Sequence, residues 1–261
     1  SEQAKERKEK NSELKEKKEE LAKTKAGKVA LLSLRTSEQN NLRKEEANYQ
    51  QEVGEAQTKQ KDLQKILTQK RQQAAALDKQ ISRLIAEEIA RQEREAARKA
   101  KERAAASGNK NATPVIPKAS PEDVKLSSNF ASNRGRLPYP ISGNYAIASR
   151  FGIHRHSRFV ETSNSGIDVR SQAGAQARAV FDGEVSRVMA FPGYNNGIII
   201  RHGNYFTFYA NLQSGFVKQG DKVKTGQSLG SVYVDPDTNT CQLHFQLWQG
   251  NNKLNPEPWL R

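Results

Sequence analysis

In the first hundred residues, apolar and small side chains recur at alternating steps of three and four. Val53, Ala56, Gln60, Leu63, Leu67, Lys70, Ala74, Leu77, Ile81 and Leu84 lie on one such seam, a heptad repeat that predicts a coiled-coil helix in need of a partner. Leu14, Leu21, Val29 and Leu32 mark an earlier stretch of the same kind. Between Ser1 and Ser107 there is no proline, glycine occurs only at Gly27 and Gly54, and Lys, Glu, Gln, Ala and Leu dominate. Residues 1–86 therefore read as one or two long helices. A break remains open at Gly27 or at Thr36-Ser37-Glu38-Gln39, where a weak capping signature stands.

The pattern changes toward the end of this region. Glu87 to Arg103 is almost all Ala, Arg, Glu and Lys, and Ile81, Leu84, Ile85 and Ile89 are the last large apolar residues. This stretch is either a solvated helical spacer or a short amphipathic helix that packs elsewhere. Residues 107–135 carry Pro114, Pro117 and Pro121 among Ser and Asn, which predicts a linker and a domain boundary. From residue 136 to 261 the vocabulary becomes β-branched and aromatic, as in 179–188, 197–202, 205–209 and 242–248, with Gly, Asn and Asp between the runs. Such spacing predicts antiparallel strands in a sandwich or barrel. The expected fold is α+β and multidomain, a long helical coiled coil followed by an all-β domain.

Composition narrows the picture. Hydrophobic residues make up 35% of the 261, too few for one compact core, so much of the chain must be extended or exposed. Lys and Arg outnumber Asp and Glu by 43 to 29, a formal net charge of +14. That excess would suit nucleic acid, anionic lipid or an acidic protein surface, but the basic residues alternate with acids, as on a solvated helix, and no nucleic-acid partner is expected. Cys241 is the sole cysteine, so no intrachain disulfide can form. No run of eighteen apolar residues is present. The start at Ser1, without Met or an apolar export segment, reads as a processed or truncated N-terminus.

Candidate chemistry lies in three short segments: Asn164-Ser165-Gly166-Ile167-Asp168, Tyr209-Ala210-Asn211-Leu212 and Gln242-Leu243-His244. In order and context, with Ser149-Arg150-Phe151-Gly152 before them, these resemble the H-x-G-I-D, Y-x-H-L and H-L-H motifs of lysostaphin/LytM-type zinc endopeptidases. The resemblance implies zinc-ligand positions at Asn164, Asp168 and His244, and water-assisting positions at Asn211 and Gln242. Carboxamides fill three of these five. A carboxamide is a weak zinc ligand and no general base near neutral pH, so one metal ligand and both helper histidines are missing. No metal, no other cofactor and no catalytic residue is expected. His154 and His156 stand in a loop that precedes the first ligand position and are not expected to replace it. His202 reads as structural, and Cys241, on the face of its strand opposite Gln242, as core.

A coiled coil followed by a degenerate LytM-type domain resembles the EnvC-type murein hydrolase activators, a likeness strengthened by the ending Leu254-Asn255-Pro256-Glu257-Pro258-Trp259-Leu260. That resemblance implies a non-enzymatic activator of a peptidoglycan N-acetylmuramoyl-L-alanine amidase, periplasmic in a Gram-negative cell and active in cell division and daughter-cell separation. It implies a coiled coil bound by the FtsEX complex, although no clear hairpin tip precedes Val53, which leaves open that the part that binds FtsEX lies outside this chain. A restraining helix, here 87–106 together with Ile81, Leu84, Ile85 and Ile89, would cover the groove. The groove residues expected are Asn164, Asp168, Asn211, Gln242 and His244, with Arg155, Arg158 and Tyr194 at its rim. A zinc endopeptidase with unusual ligands and a non-catalytic wall-binding scaffold are the competing readings.

Overall fold

The structure, a computed structural model, describes residues 2–106, 119–156 and 160–261. It divides into two compact units, residues up to Leu67 and Thr68–Arg261. A helix, α1 (Glu2–Ala106), supplies all of the described part of the first unit and opens the second.

In the first unit α1 passes through both sites where a break was open. Thr36 does not cap a new helix; its Oγ1 donates to the Leu32 carbonyl at 2.9 Å, the bond of a helix-interior threonine one turn along. Gly27 is likewise held inside the helix, where its cost of about 1 kcal/mol relative to Ala is too small to interrupt strong neighbouring formers. Seam residues such as Leu14, Leu32 and Leu63 are exposed on this helix, so the pairing that would make it a coiled coil stays an expectation.

The second unit contains the last part of α1, a second helix α2 (Pro121–Ser132) and thirteen strands. The strands are β1 (Tyr145–Ser149), β2 (Gly152–Arg155), β3 (Glu161–Asn164), β4 (Ile167–Gln172), β5 (Gln176–Arg178), β6 (Gly183–Ala190), β7 (Asn196–His202), β8 (Tyr205–Gly215), β9 (Lys222–Val223), β10 (Ser228–Val232), β11 (Val234–Asp235), β12 (Thr240–Gln249) and β13 (Asn252–Leu254). Eleven form an antiparallel sheet whose main path runs β1-β4-β12-β8-β7-β6-β9, and β2 and β3 make a separate hairpin.

The period of two along the central strands sorts side chains onto two covered faces. Cys241, Leu243, Phe245 and Leu247 of β12 join Tyr209, Ile198 and Ile200 in the main core. Trp248, Phe206, Phe208, Ala210 and Ile199 point the other way and meet Leu77, Ile81, Leu84 and Ile85 of α1. Both faces of β7 and β8 are therefore buried, which is why their sequences read as unbroken apolar runs.

The expected linker over 107–135 is corrected in its second half. Ser120 caps α2, its Oγ accepting from the Asp123 amide at 3.1 Å, and Pro121 takes the first turn, where a proline costs no hydrogen bond. Pro121 thus starts a helix instead of marking a loop. Phe130 on α2 is fully buried and stacks on Tyr205 and His202 at 4.7 and 5.0 Å. Gly203, at φ +71°, lets the chain pass so close that a Cβ there would meet Ser127 Oγ at 2.2 Å. The boundary expected after residue 86 is also absent as a break in the helix, since α1 runs through it. Residues 107–118 of the expected linker lie outside the described residues.

His202 is structural, as its position suggested. Its Nδ1 donates to the Asp182 carbonyl at 2.6 Å and its Nε2 accepts from Thr207 at 2.8 Å. Burial, with the Arg201 charge adding to it, pushes its pKa from 6.5 down to about 4. The imidazole stays neutral in the fold, so the unfolded chain takes up its proton first as pH falls. Stability is whole above pH 6.5 and is lost progressively toward pH 4 by about 3 kcal/mol. Denaturant titrations across that window should show the loss, and His202→Asn should flatten it while lowering the plateau.

Candidate functional site

The candidate residues gather on the face of the sheet opposite the main core. β4 and β12 are hydrogen-bonded neighbours, and their register sets Asp168 directly opposite His244. His244 Nδ1 donates to Asp168 Oδ1 at 2.8 Å. The Asn164 amide nitrogen donates to Asp168 Oδ2 at 3.1 Å and to Ser149 Oγ at 3.0 Å, while its carbonyl accepts from the Gly166 amide at 3.0 Å. Asn164 thus fastens the carboxylate and the turn between β3 and β4. Tyr194 stacks obliquely on the imidazole, ring centroids 5.2 Å apart. Burial, followed by the negative charges of Asp168 and Asp78, pushes the Tyr194 hydroxyl up to about 12.

Asn211 lies nearby with its amide engaged. It adopts φ 68°, a left-handed conformation that asparagine tolerates better than most residues. Its Nδ2 donates to the Gln242 carbonyl at 2.7 Å and its Oδ1 accepts from Asn195 at 2.6 Å. It clamps β12 to the turn before β7. Gln242 is half-buried on the same face of β12 as His244. Arg155 stands on the β2–β3 hairpin, exposed and paired with Glu161 at 3.1 Å, away from this hydrogen-bonded cluster. Arg158 lies outside the described residues. His154 and His156 are exposed and bond to the Arg150 carbonyl and Thr162.

Four residues that the motifs did not flag complete the site. Gln246 donates to His244 Nε2 at 2.9 Å and accepts from Trp248 Nε1 at 2.9 Å. Its amide nitrogen also reaches Asp78 Oδ1 of α1 at 3.2 Å. Lys253 Nζ donates to Asp78 Oδ2 at 2.7 Å, and Ser165 donates to the same oxygen. Gln246 and Trp248 were within reach of sequence, because they continue the period of two from Gln242 and His244. Lys253 arrives through the β12–β13 register, which pairs it with Trp248, and Asp78 carried no sequence signal.

These bonds fix the protonation pattern. With Nδ1 donating to Asp168 and Nε2 accepting from Gln246, the hydrogen-bond partners assign the Nδ1–H tautomer, and both ring nitrogens are committed. A catalytic zinc takes three protein ligands and an open position. Asp168 and His244 are bonded to one another, and the third position is an amide that donates to the carboxylate. This donor set does not fit that ion. Among the described residues no group of three His, Cys, Asp or Glu is placed to hold a metal.

Ile81, Leu84, Ile85 and Ile89, the apolar residues expected in the restraining helix, lie on this face together with Leu77. Leu77, Ile81, Leu84, Ile85 and Glu88 are the buried residues of α1, with Ile89 packed beside them. The expected 87–106 covering is corrected to Leu77–Ile89, because beyond Ile89 the helix offers only alanine as apolar surface and no side chain there is buried.

Glu88 is 1% exposed and closes one end of the contact. Arg91 grips it at 2.7 and 3.1 Å, Gln92 bonds it at 3.0 Å, and Arg201 and Arg187 of the sheet approach to 3.6 and 3.7 Å. Arg201 is held in turn by Asp123 and Glu184. Burial pushes the Glu88 carboxyl up, but bonds from Arg91 and Gln92 and the charges of Arg91 and Arg201 outweigh it and hold the group below its ordinary 4.5. Relative to an unfolded segment its contribution is therefore full above pH 4.5 and is lost as pH falls through the lower folded value. Amide exchange over 77–91 should accelerate in that acid range in the native chain, and Glu88→Gln should remove this part of the pH response.

The description "Peptidase family M23" matches residues 162–256. The chain is 25% identical over 202 residues to the murein hydrolase activator EnvC of Escherichia coli K12, covering 76% of this chain and 46% of that protein. It is 30% identical over 131 residues to the cell division protein DipM of Caulobacter vibrioides, covering 49% of this chain and 20% of that one. The chain spans less than half the length of these curated relatives. Among solved structures, Helicobacter pylori Csd3 aligns at 26% identity with a TM-score of 0.42, over 48% of this chain and 34% of that one. No helix among the described residues is long and apolar enough to cross a membrane. The residues matched to peptidase family M23, 162–256, hold every member of the Asn164, Asp168, Asn211, Gln242 and His244 cluster.

Proposed function

We propose that this chain is a non-enzymatic activator of a peptidoglycan N-acetylmuramoyl-L-alanine amidase, working in the periplasm during cell division and daughter-cell separation. One observation carries the reading: Leu77–Ile89 of α1 lies on the face that bears Asp168 and His244, and Asp78 is bonded to Gln246 beside the imidazole. A face that holds one amphipathic helix can hold another. In the resting chain the intramolecular helix has the advantage of high effective concentration. Movement of the preceding helix, engaged by the FtsEX complex, shifts a two-state equilibrium toward an open groove that an amidase helix then fills. The likeness to EnvC and the loss of zinc donors support this reading over the peptidase.

The test compares the full chain with its Ile81→Asp/Ile85→Asp variant, each mixed with the amidase of the same organism on purified sacculi. The variant should raise the release of wall fragments about tenfold over the native chain, with no release when either protein acts alone. An opened chain that leaves amidase activity unchanged would overturn the activator. Stoichiometric zinc together with cleavage of cross-bridges by the chain alone would install the peptidase in its place.

A further inference from the structure

The contact between α1 and the sheet has a charge pattern as well as an apolar one. Asp78 and Glu88 stand ten positions apart, about 15 Å along a helix, and bracket Ile81, Leu84 and Ile85, with Leu77 one position before the first acid. Each meets cations of the sheet domain. Asp78 takes Lys253 Nζ at 2.7 Å, along with Ser165 and Gln246. Glu88 faces Arg187 and Arg201, whose side chains are 23% and 10% exposed. Arg201 keeps Asp123 and Glu184 when α1 leaves, whereas the acidic partners named for Arg187 and Lys253 both lie on α1. Arg187, 23% exposed, would face an apolar helix as a partly buried unpaired cation, which is costly, whereas Lys253, 37% exposed, keeps solvent and loses less; an incoming helix without acids is selected against chiefly at the arginine end.

Resting on the reading of this face as a helix receptor, we propose that it recognises its partner by two carboxylates ten residues apart on one amphipathic helix, flanking apolar residues at the spacing of Ile81, Leu84 and Ile85. The two cationic ends differ in kind. The Lys253 end offers a single ammonium with hydroxyl and amide donors; the Arg187/Arg201 end offers guanidinium groups. The partner is an acidic helical segment of another protein, and its charges, more than its apolar residues, separate it from other amphipathic helices.

The test uses the full chain carrying Ile81→Asp/Ile85→Asp, with a fluorescent peptide of native sequence 75–91 as probe. Anisotropy should report saturable binding that weakens with salt. Peptides carrying D78N or E88Q should bind about tenfold less tightly and the doubly substituted peptide about a hundredfold. Arg187→Ala in the chain should weaken the native peptide but leave the E88Q peptide nearly unaffected. Equal affinity for the native and doubly neutral peptides overturns the charge pattern while leaving the groove a helix receptor. Failure of every peptide to bind a chain whose Trp248 is demonstrably uncovered overturns the receptor reading itself. A stable dimer of the native chain that exchanges its 77–89 segments would assign the face to a second copy and overturn the commitment to another protein.

Discussion

Ile81→Asp/Ile85→Asp is expected to lift α1 from the sheet while leaving the sheet folded. Ile81 and Ile85 are 0% and 1% exposed, and they pack on Phe191, Ile199, Phe206, Phe208 and Trp248. Burying one such side chain contributes about 2 kcal/mol, and an aspartate in its place adds the cost of desolvating a carboxylate. The double substitution therefore withdraws more than about 5 kcal/mol from the seat of the helix. The main core does not share these residues, so global unfolding should change much less. Tryptophan emission is the direct readout: Trp248, 3% exposed beneath the helix, should shift to the red, whereas Trp259, packed with Phe130 in the other core, should not. Amide exchange should rise over 77–91 and stay slow in β7, β8 and β12. Unchanged Trp248 emission would show that the segment is held by something other than this apolar contact.

Gly166→Ala should damage the site through the sheet itself. The residue lies where β3 turns into β4, and a Cβ there would stand 2.1 Å from the Phe245 carbonyl oxygen and 2.8 Å from Gln246 Cγ. The nearest obstruction is backbone, which cannot swing aside as a side-chain tip can. Relief requires β4 to move from β12, and that is the pairing that sets Asp168 opposite His244. A cost of about 3 kcal/mol is expected, the upper end for overpacking, with a fall in Tm on the order of 10 °C. Thermal melts check the magnitude. The imidazole resonances of His244 check the location, because loss of the Asp168 bond should move them while those of His202 stay in place.

Much of the site was legible because strand periodicity is a strict rule. Once Gln242 and His244 were recognised on one strand, their common face followed, and so did the burial of Cys241 on the other. The glycine of the first motif was equally informative, since the close approach of Phe245 leaves room for no side chain there. Asn211 was placed in the groove by its motif, but its work as a clamp between β12 and the Asn195 turn depends on a left-handed backbone that no motif announces. Arg155, expected at the rim, pairs with Glu161 across its own hairpin, a partner set by the β2–β3 register and not by the motif. The weak restart signal at Thr36 yielded to a helix already propagating, and Pro121, expected in a linker, opens a helix because Ser120 caps it.

Sequence alone determined the helix-forming first region, the β-forming second region and the amides at Asn164, Asn211 and Gln242. These are local properties, fixed by side-chain chemistry and by spacings of two or three and four. Only the tertiary structure decided that Leu77 joins Ile81, Leu84, Ile85 and Ile89 on the site's face while the helix beyond Ile89 stays unburied, that Asp78 enters the site, and that Glu88 meets Arg187 and Arg201. Those contacts join residues 87 to 175 positions apart, and their pairing depends on how the strands register and which sheet face is left for a helix to bury, which no local pattern encodes.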